Sequence, residues 1–250
     1  MKSIKHKDIT FYPGTEFSAS HIDPPKPASA FVPHWFKNQP KYSDSNGFAF
    51  KNGKHNLTSK SCLPLVDGFT SGYIFSTPFD IQVNRYPDGS IYFEHAFVIP
   101  HNITPFVNYR HGEGISQNLQ CPWDYENFEG YDKLQFNWMP YWGMETPKKY
   151  SCIVTHPINR LDLPFYTLGG VMDTDGWGVP GNHPFLLKKG WSGFIPAGTP
   201  FMQVIPFKRE NWKSKVNNSM VSKTITKIYQ RDKFIKDYYK NNVWESKTYR

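Results

Sequence analysis

The most strongly patterned part of the sequence is residues 150–210, which read YSCIVTHPINRLDLPFYTLGGVMDTDGWGVPGNHPFLLKKGWSGFIPAGTPFMQVIPFKRE. Short apolar runs separated by glycine, proline and polar residues are typical of β-strands joined by turns. Two segments carry the most information: GGVMDTD at Gly169–Asp175, and IPAGTPFMQVIPFKRE at Ile195–Glu210. The stretch predicts a mainly β fold with two carboxylates at a turn, and it contains no motif that fixes a reaction.

The composition supports short strands and many turns. The chain has 250 residues, 17% aromatic, with 21 Pro and 18 Gly, a mixture that disfavours a helical bundle. We expect three parts: an extended, Pro-rich and aromatic strap over residues 1–60, a β core over 61–210 with a long loop near 101–135, and a basic helix over 211–250. No apolar run is long enough for a membrane span or a signal peptide, so the sequence predicts a cytoplasmic protein.

The net charge of +8 is confined to the C-terminal part of the chain. Residues 207–250 contain 12 Lys and Arg against 4 Asp and Glu, and residues 1–206 are neutral. Ile225, Ile228 and Ile235 recur at near-helical spacing with basic residues between them, which predicts an amphipathic helix. Such a helix packs on its own β core, or contacts a partner protein or nucleic acid.

Metal-binding and redox patterns are weak. The three cysteines form no CxxC pair, so we expect buried free thiols instead of a disulfide framework or a zinc site; they are Cys62, Cys121 and Cys152. His21-Ile22-Asp23 has the H-x-D spacing of an iron/2-oxoglutarate facial triad, with His183 as a distal ligand. An oxygenase is therefore one function class to test.

The segment from Tyr150 to Glu210 resembles the β-clip core of trimeric dUTPases and dCTP deaminases. The similar parts are Gly170–Asp175 (GVMDTD), the turn Pro196–Gly198 and the strand Met202–Ile205 (MQVI). The resemblance implies a distorted β-clip-like barrel or sandwich. It also implies that Asp173 orients an attacking water, with Asp175 beside it.

The chain departs from that family at the other motifs. The family's phosphate-binding Arg-Ser falls near His156–Arg160, where Arg160 alone offers a comparable charge. Gly176-Trp177 stands where the family has a tyrosine, and a basic helix replaces the glycine-rich arm. We therefore expect the chain to keep the fold of that family and to bind a different ligand, instead of catalysing the same reaction.

The sequence is also similar, over nearly its whole length, to an uncharacterised group of tailed-phage and bacterial proteins. The shared segments are THPxNRxDLPF at Thr155–Phe165, GVxDTD at Gly170–Asp175 and PAGTPxxQVIPFKRE at Pro196–Glu210, with VPxWFK at Val32–Lys37 upstream. This similarity implies a phage-type protein in the host cytoplasm and brings no established activity.

A second polar cluster, His156–Arg160, lies before the carboxylates in the sequence. Together with Asp162, its residues predict one pocket around the two carboxylates, in which Arg160 clamps an anion in two-point fashion. We assign catalytic roles to Asp173 and Asp175, and ligand-binding roles to His156, Asn159, Arg160, Trp177 and Gln203. The alternative is a buried salt-bridge network without a ligand.

Three function classes follow. The first is a phage-type protein with a β-clip-like pocket that binds, or binds and hydrolyses, a nucleotide or similar small anion. A nucleotide would bring Mg²⁺, and no motif identifies another cofactor. The second is a non-catalytic structural or host-interaction protein, and the third is the oxygenase. We expect a homo-oligomer, and whether the protein is an enzyme stays open.

Overall fold

The computed structural model describes residues 7–41, 58–109, 128–229 and 238–250. The fold is mainly β, and every strand pairing in these ranges is antiparallel. The described strands form four separate sheets and no closed barrel. The mainly β prediction is confirmed, and the predicted barrel is not found in this part of the chain.

The strands are, in chain order, β1 Thr10–Pro13, β2 Lys26–Pro27, β3 Tyr73–Ser76, β4 Ile81–Arg85, β5 Ile91–His95, β6 Val107–Tyr109, β7 Tyr131–Trp138, β8 Trp142–Glu145, β9 Tyr150–Thr155, β10 Phe165–Thr167, β11 Gly170–Met172, β12 His183–Lys188, β13 Gly193–Ile195 and β14 Pro200–Lys208. The helices are α1 Glu16–His21, α2 His34–Lys37, α3 Leu63–Thr70, α4 Val221–Tyr229 and α5 Tyr238–Asn242.

Two larger sheets carry the structure. A five-stranded sheet has the order β11-β9-β14-β3-β2, and a four-stranded sheet has the order β10-β12-β7-β6. A three-stranded sheet (β13-β4-β5) and the pair β1-β8 complete the described strands. In the five-stranded sheet, Ile153 of β9 lies between Val171 of β11 and Ile205 of β14.

The hydrophobic core lies where the two larger sheets meet. The rings of Trp138 and Phe185 stack with centroids 3.8 Å apart, and Phe201 of β14 lies 5.2 Å from Trp138. The Trp138 indole N–H donates to Thr167 Oγ1 at 3.0 Å, and Thr167 in turn donates to the Phe201 carbonyl. A buried indole needs such a partner, so this polar link fixes the ring inside an apolar core.

The N-terminal segment is more regular than the predicted extended strap. It pairs β1 with β8 and β2 with β3, and it adds helices α1 and α2. The short helical turn that the sequence predicts at His34–Lys37 is confirmed as α2. Phe36 from this helix packs on Phe69 of α3, with ring centroids 4.5 Å apart.

Local patterns predicted some elements correctly and others wrongly. The turn residues Pro87-Asp88-Gly89 predict a hairpin, and the pairing of β4 with β5 confirms it. The apolar run from Leu63 predicts a strand, and this prediction is wrong, because α3 begins there with a proline in its first turn. The predicted loop near 101–135 contains β6 and the start of β7, and its residues 110–127 lie outside the described ranges.

The C-terminal segment leaves the β core and then returns to it. The described residues after β14 are helical only at 218–229 and 238–242. No residue of α4 is buried, so the side chains of this helix are exposed in the described structure. Residues 243–250 return to α3, where Asp67 accepts hydrogen bonds from the Trp244 indole at 2.9 Å and Lys247 Nζ at 2.8 Å.

Among the helices of the described ranges, none has the length and apolarity needed to cross a membrane.

Candidate functional site

The two predicted catalytic carboxylates lie together just beyond β11, and both are ion-paired. Asp173 accepts a 2.6 Å hydrogen bond from Ser151 Oγ, and its Oδ1 lies 3.0 Å from Arg209 Nη1. Asp175 binds the same guanidinium through both of its oxygens and accepts the Lys149 backbone N–H at 2.9 Å. These contacts of Arg209, Asp173 and Asp175, which we call the ion-paired cluster, link the end of β14 to the turns before β9 and after β11.

These contacts hold both carboxylates in the ionised form. The Ser151 hydroxyl and then Arg209 keep the pKa of Asp173 below its usual range. Arg209 and then the Lys149 N–H do the same for the pKa of Asp175. A general base works best with a pKa near the operating pH, so this environment favours a structural role over proton abstraction.

His156 is a buried, neutral structural residue. Its Nε2 lies 2.9 Å from the Arg160 carbonyl and its Nδ1 lies 3.3 Å from the Thr167 N–H, so Nε2 carries the proton and Nδ1 accepts. Burial lowers the pKa of this imidazole. The ring also stacks on Tyr166 at 4.8 Å between centroids. Both nitrogens are used within the protein.

Arg160 meets a carboxylate of its own loop. Its Nε and Nη2 donate to Asp162 at 2.9 Å each. Burial acts against the ionised Asp162, but the hydrogen bonds and charge of Arg160 outweigh it and lower the pKa of the carboxyl. Asn159 supports the turn with a left-handed backbone, φ 64°. The predicted anion clamp is therefore filled by Asp162.

Gln203 is a buried cross-link. Its Oε1 accepts the Ile158 N–H at 2.7 Å, and its Nε2 donates to the carbonyls of Gly68 at 3.0 Å and Ser71 at 2.7 Å. The side chain thereby joins β14 to the end of α3 and to the loop after β9. Buried amides need such partners, and these contacts meet the requirement inside the protein.

The structure does not bring the predicted site residues into one pocket. Ser151, which holds Asp173, is near the start of β9, whereas His156 follows its end and Gln203 pairs with Thr155. Strands rise about 3.3 Å per residue, so the two groups lie at opposite ends of the strand. Trp177 is exposed in the loop after β11.

The oxygenase triad is not assembled. His21 is exposed and bonds to the Phe17 carbonyl, whereas Asp23 pairs with Lys26. His183 is buried at the start of β12, and burial lowers its pKa to about 4. No group of three His, Cys, Asp or Glu side chains able to hold a metal occurs in the described part of the chain.

The two cysteines in the described part of the chain differ in their exposure to solvent. Cys152 is a buried free thiol whose pKa is raised by burial, as a core residue requires. Cys62 is free and exposed just before α3, so the prediction of a buried thiol is wrong there. Cys121 lies outside the described residues.

A cavity of about 690 Å³ lies at another place, between the two ends of the described chain. Four regions form its wall: the segment before β1, the β3 and β14 strands, the turn before β9, and the C-terminal residues. The lining residues are Lys7, Asp8, Ile9, Tyr73, Thr146, Pro147, Tyr150, Pro206, Ser246, Lys247, Thr248, Tyr249 and Arg250.

The cavity combines positive charge with tyrosine rings. Among the described residues, Lys7, Lys247 and Arg250 line it together with the acidic Asp8, and Lys247 is also ion-paired with Asp67. Lys7 Nζ lies 5.8 Å from the centre of the Tyr150 ring. The rings of Tyr73 and Tyr249 meet edge to face at 5.9 Å. Burial, and then the neighbouring Tyr249 and Asp8, raise the pKa of Tyr73, which stays a neutral phenol.

The predicted carboxylates do not line this cavity. Tyr150 and Ser151 are neighbours in β9, so their side chains project to opposite faces of the sheet. Tyr150 faces the cavity, whereas Ser151 binds Asp173 on the other face. The ion-paired cluster and the cavity are therefore separate sites.

Sequence reasoning missed the cavity and Arg209. The cavity's basic and aromatic residues come from segments far apart in the chain, and no local motif connects them. The signal for Arg209 lay in the alternation of β14, which puts Phe207 opposite Ser151 and Arg209 just beyond it. Comparison with protein-family models and with curated proteins gives no match for this chain.

Proposed function

We propose that this protein binds a small anionic ligand with a planar ring, of the nucleoside phosphate class, in the cavity lined by Lys7, Tyr150 and Tyr249. The observation that carries the proposal is the meeting of Lys7 and Arg250 with three tyrosines in one concave site, to which Lys247 adds a third basic side chain that is already paired with Asp67. Ligand sites are concave, with aromatic walls and a few polar groups that fix orientation.

The chemistry of the lining matches the two halves of such a ligand. Lysine and arginine donors stabilise phosphate oxygens through charge-assisted hydrogen bonds. Tyrosine rings provide flat apolar surface on which a base stacks, an interaction worth about 1–3 kcal/mol per base. A ligand with only one of the two halves would use only part of this lining.

Binding without hydrolysis follows from the position and charge of the carboxylates. Asp173 and Asp175 are ion-paired on the sheet face opposite the cavity. We therefore propose a binding protein that does not turn its ligand over. A phage-type origin, a cytoplasmic location and the β-clip relationship belong to this proposal and rest on the sequence segments alone.

The test is isothermal titration of the full-length protein with nucleoside monophosphates and triphosphates, each with and without Mg²⁺. The free nucleoside and inorganic phosphate serve as half-ligands. We expect a nucleotide to bind more tightly than either half, and we expect the affinity to fall as salt rises, because the basic groups are partly exposed. No binding by any nucleotide would overturn the proposal.

Two variants locate the site. Lys7→Gln and Tyr150→Ala should each weaken nucleotide binding about tenfold, the loss of one good charged or stacking contact. Arg160→Gln removes a basic group that lies outside the cavity, at the anion clamp predicted from the sequence. This variant should leave binding unchanged. If Arg160→Gln weakens binding and the two cavity variants do not, the ligand binds at the loop of His156 and Arg160 instead.

A product assay tests the absence of turnover. Wild-type protein should leave a bound triphosphate intact over hours, as judged by chromatography. Hydrolysis that disappears in Asp173→Asn would show the binding-only part of the proposal to be wrong.

A further inference from the structure

The outer face of the three-stranded sheet is aromatic and acidic, and no residue that the structure describes covers it. Its outward side chains include Phe194 of β13, Tyr92 and Glu94 of β5, and Tyr86 beside them, with each of the three rings about half exposed. The Tyr86 and Tyr92 rings meet edge to face at 5.2 Å. We call this surface the hairpin face.

A shallow cleft of about 370 Å³ runs along the hairpin face, lined in part by Asp88 and Glu94. Both carboxylates are exposed. Two hydrogen bonds from Ser90 hold Asp88 in place. No Lys or Arg is among the residues that line the cleft. The surface therefore attracts a partner with positive charge and apolar side chains.

The chain carries a segment with these properties. Residues 211–229, which we call the arm, contain Lys213, Lys215, Lys223 and Lys227 and no Asp or Glu. The apolar side chains of the arm are uncovered: Trp212 is 88% exposed and Ile225 is 50% exposed. In α4, Val221, Ile225 and Ile228 follow the i, i+4, i+7 spacing that places them on one side of the helix.

The arm makes no buried contact with its own β core. All its described side chains from Asn211 to Tyr229 are exposed, and α4 contains no buried residue. An amphipathic helix of nine residues gains most of its stability from packing its apolar side. Within the described part of the chain its apolar side is left exposed, and a surface on a second molecule can cover it.

We infer that the arm of one copy of this chain docks on the hairpin face of a second copy. The two surfaces are complementary in charge, with four lysines on one and two carboxylates on the other. The apolar parts of the two surfaces also match, because tyrosine rings can contact both lysine ammonium groups and aliphatic side chains. Exchange of arms between two copies closes the contact and yields a dimer.

The experiment is sedimentation equilibrium of the full-length protein across a concentration series, at low and high salt. We expect self-association that weakens with salt, because charged groups contribute to the contact. A monomer at all concentrations would overturn the inference.

Point variants assign the surfaces. Ile225→Glu in the arm and Tyr92→Glu on the hairpin face should each weaken self-association by roughly tenfold or more, as the loss of a central interface side chain does. Leu161→Ser removes an exposed apolar side chain elsewhere (79% exposed) and should change nothing. Near-UV circular dichroism checks that each variant keeps its fold.

Mixing the two defective chains gives the decisive result. Ile225→Glu keeps an intact hairpin face, and Tyr92→Glu keeps an intact arm, so their mixture retains one working contact. At equal total concentration, we expect more heterodimer in the mixture than homodimer in either variant alone. Failure of the mixture to associate, or association that neither variant affects, would show that the arm does not bind the hairpin face.

Discussion

Arg209 and Asp175 form a two-point ion pair that joins the end of β14 to the loop after β11. The same guanidinium contacts Asp173, so one cation is shared by two carboxylates. Both carboxylates are at the protein surface, and their depressed pKa values mark them as stabilising groups in the ionised state. Their contribution to stability therefore depends on pH in a defined direction.

Asp175→Asn should reduce stability at neutral pH and lose this effect in acid. The folded pKa lies below the unfolded value of about 3.9, so the stabilisation is complete above the unfolded value and disappears as pH falls through the folded one. Thermal melts of wild type and variant from pH 7 to pH 2 test this. The two curves should converge below about pH 4. A pH-independent gap between wild type and Asp175→Asn would contradict the expectation.

Gln203→Leu should destabilise the protein by about 3 kcal/mol, because it leaves buried backbone groups of Gly68, Ser71 and Ile158 without their partner. Urea unfolding measures the change. Gln203→Glu should be at least as damaging, because a carboxylate would face two carbonyls that need a donor. A neutral effect of both variants would favour a role for Gln203 outside the structural link.

His183→Gln should remove part of the acid sensitivity of the fold. The buried imidazole has a pKa of about 4, against about 6.5 when unfolded. Between these values the unfolded chain binds more protons, so stability falls as pH falls, by up to about 3 kcal/mol in total. Urea titrations at pH 7.5 and pH 4.5 should show a smaller loss for the variant than for wild type. Equal losses would mean that His183 is protonated in the folded state.

Gly72→Ala and Gly89→Ala form a matched pair at positive φ. Gly72 has φ 73°, and an added Cβ would lie 2.0 Å from the Val204 carbonyl oxygen. Gly89 has φ 87°, and an added Cβ there would meet open space. We expect a cost of about 1–2 kcal/mol at Gly89 from backbone strain alone and about 4 kcal/mol or more at Gly72. Similar losses in urea unfolding would show that strand β14 moves to accommodate the methyl group.

Patterns that are local in the sequence predicted local structure well. Pro87-Asp88-Gly89 gave the β4–β5 hairpin because a turn of this kind is specified by its own residues. The apolar run from Leu63 predicts a strand, but the segment is a helix. Leu63, Val66 and Phe69 have helical spacing, and the pattern extends over only eight residues. A short apolar segment does not distinguish a strand from a helix by its period.

Contacts between distant residues account for what the sequence did not predict. Arg209 and Asp175 are 34 positions apart. The pairing of Arg160 with Asp162 is local, but it depends on how the turn folds and not on spacing alone. Charge type alone did not indicate that both arginines are used inside the protein. Closure of the β strands into a barrel was likewise implied by the resemblance of residues 150–210, whereas the described sheets stay separate.

The cavity wall has a consequence for the order in which the molecule assembles. The hydrogen bond from the Tyr73 hydroxyl to the Arg250 carbonyl spans 177 positions of the chain. Contacts of such separation form after local elements, because the closure of a long loop costs entropy before any contact repays it. The cavity wall is therefore complete only once residues 246–250 have packed beside β3 and β14. A change that detaches these residues would open the cavity even if every strand of the β core stayed folded.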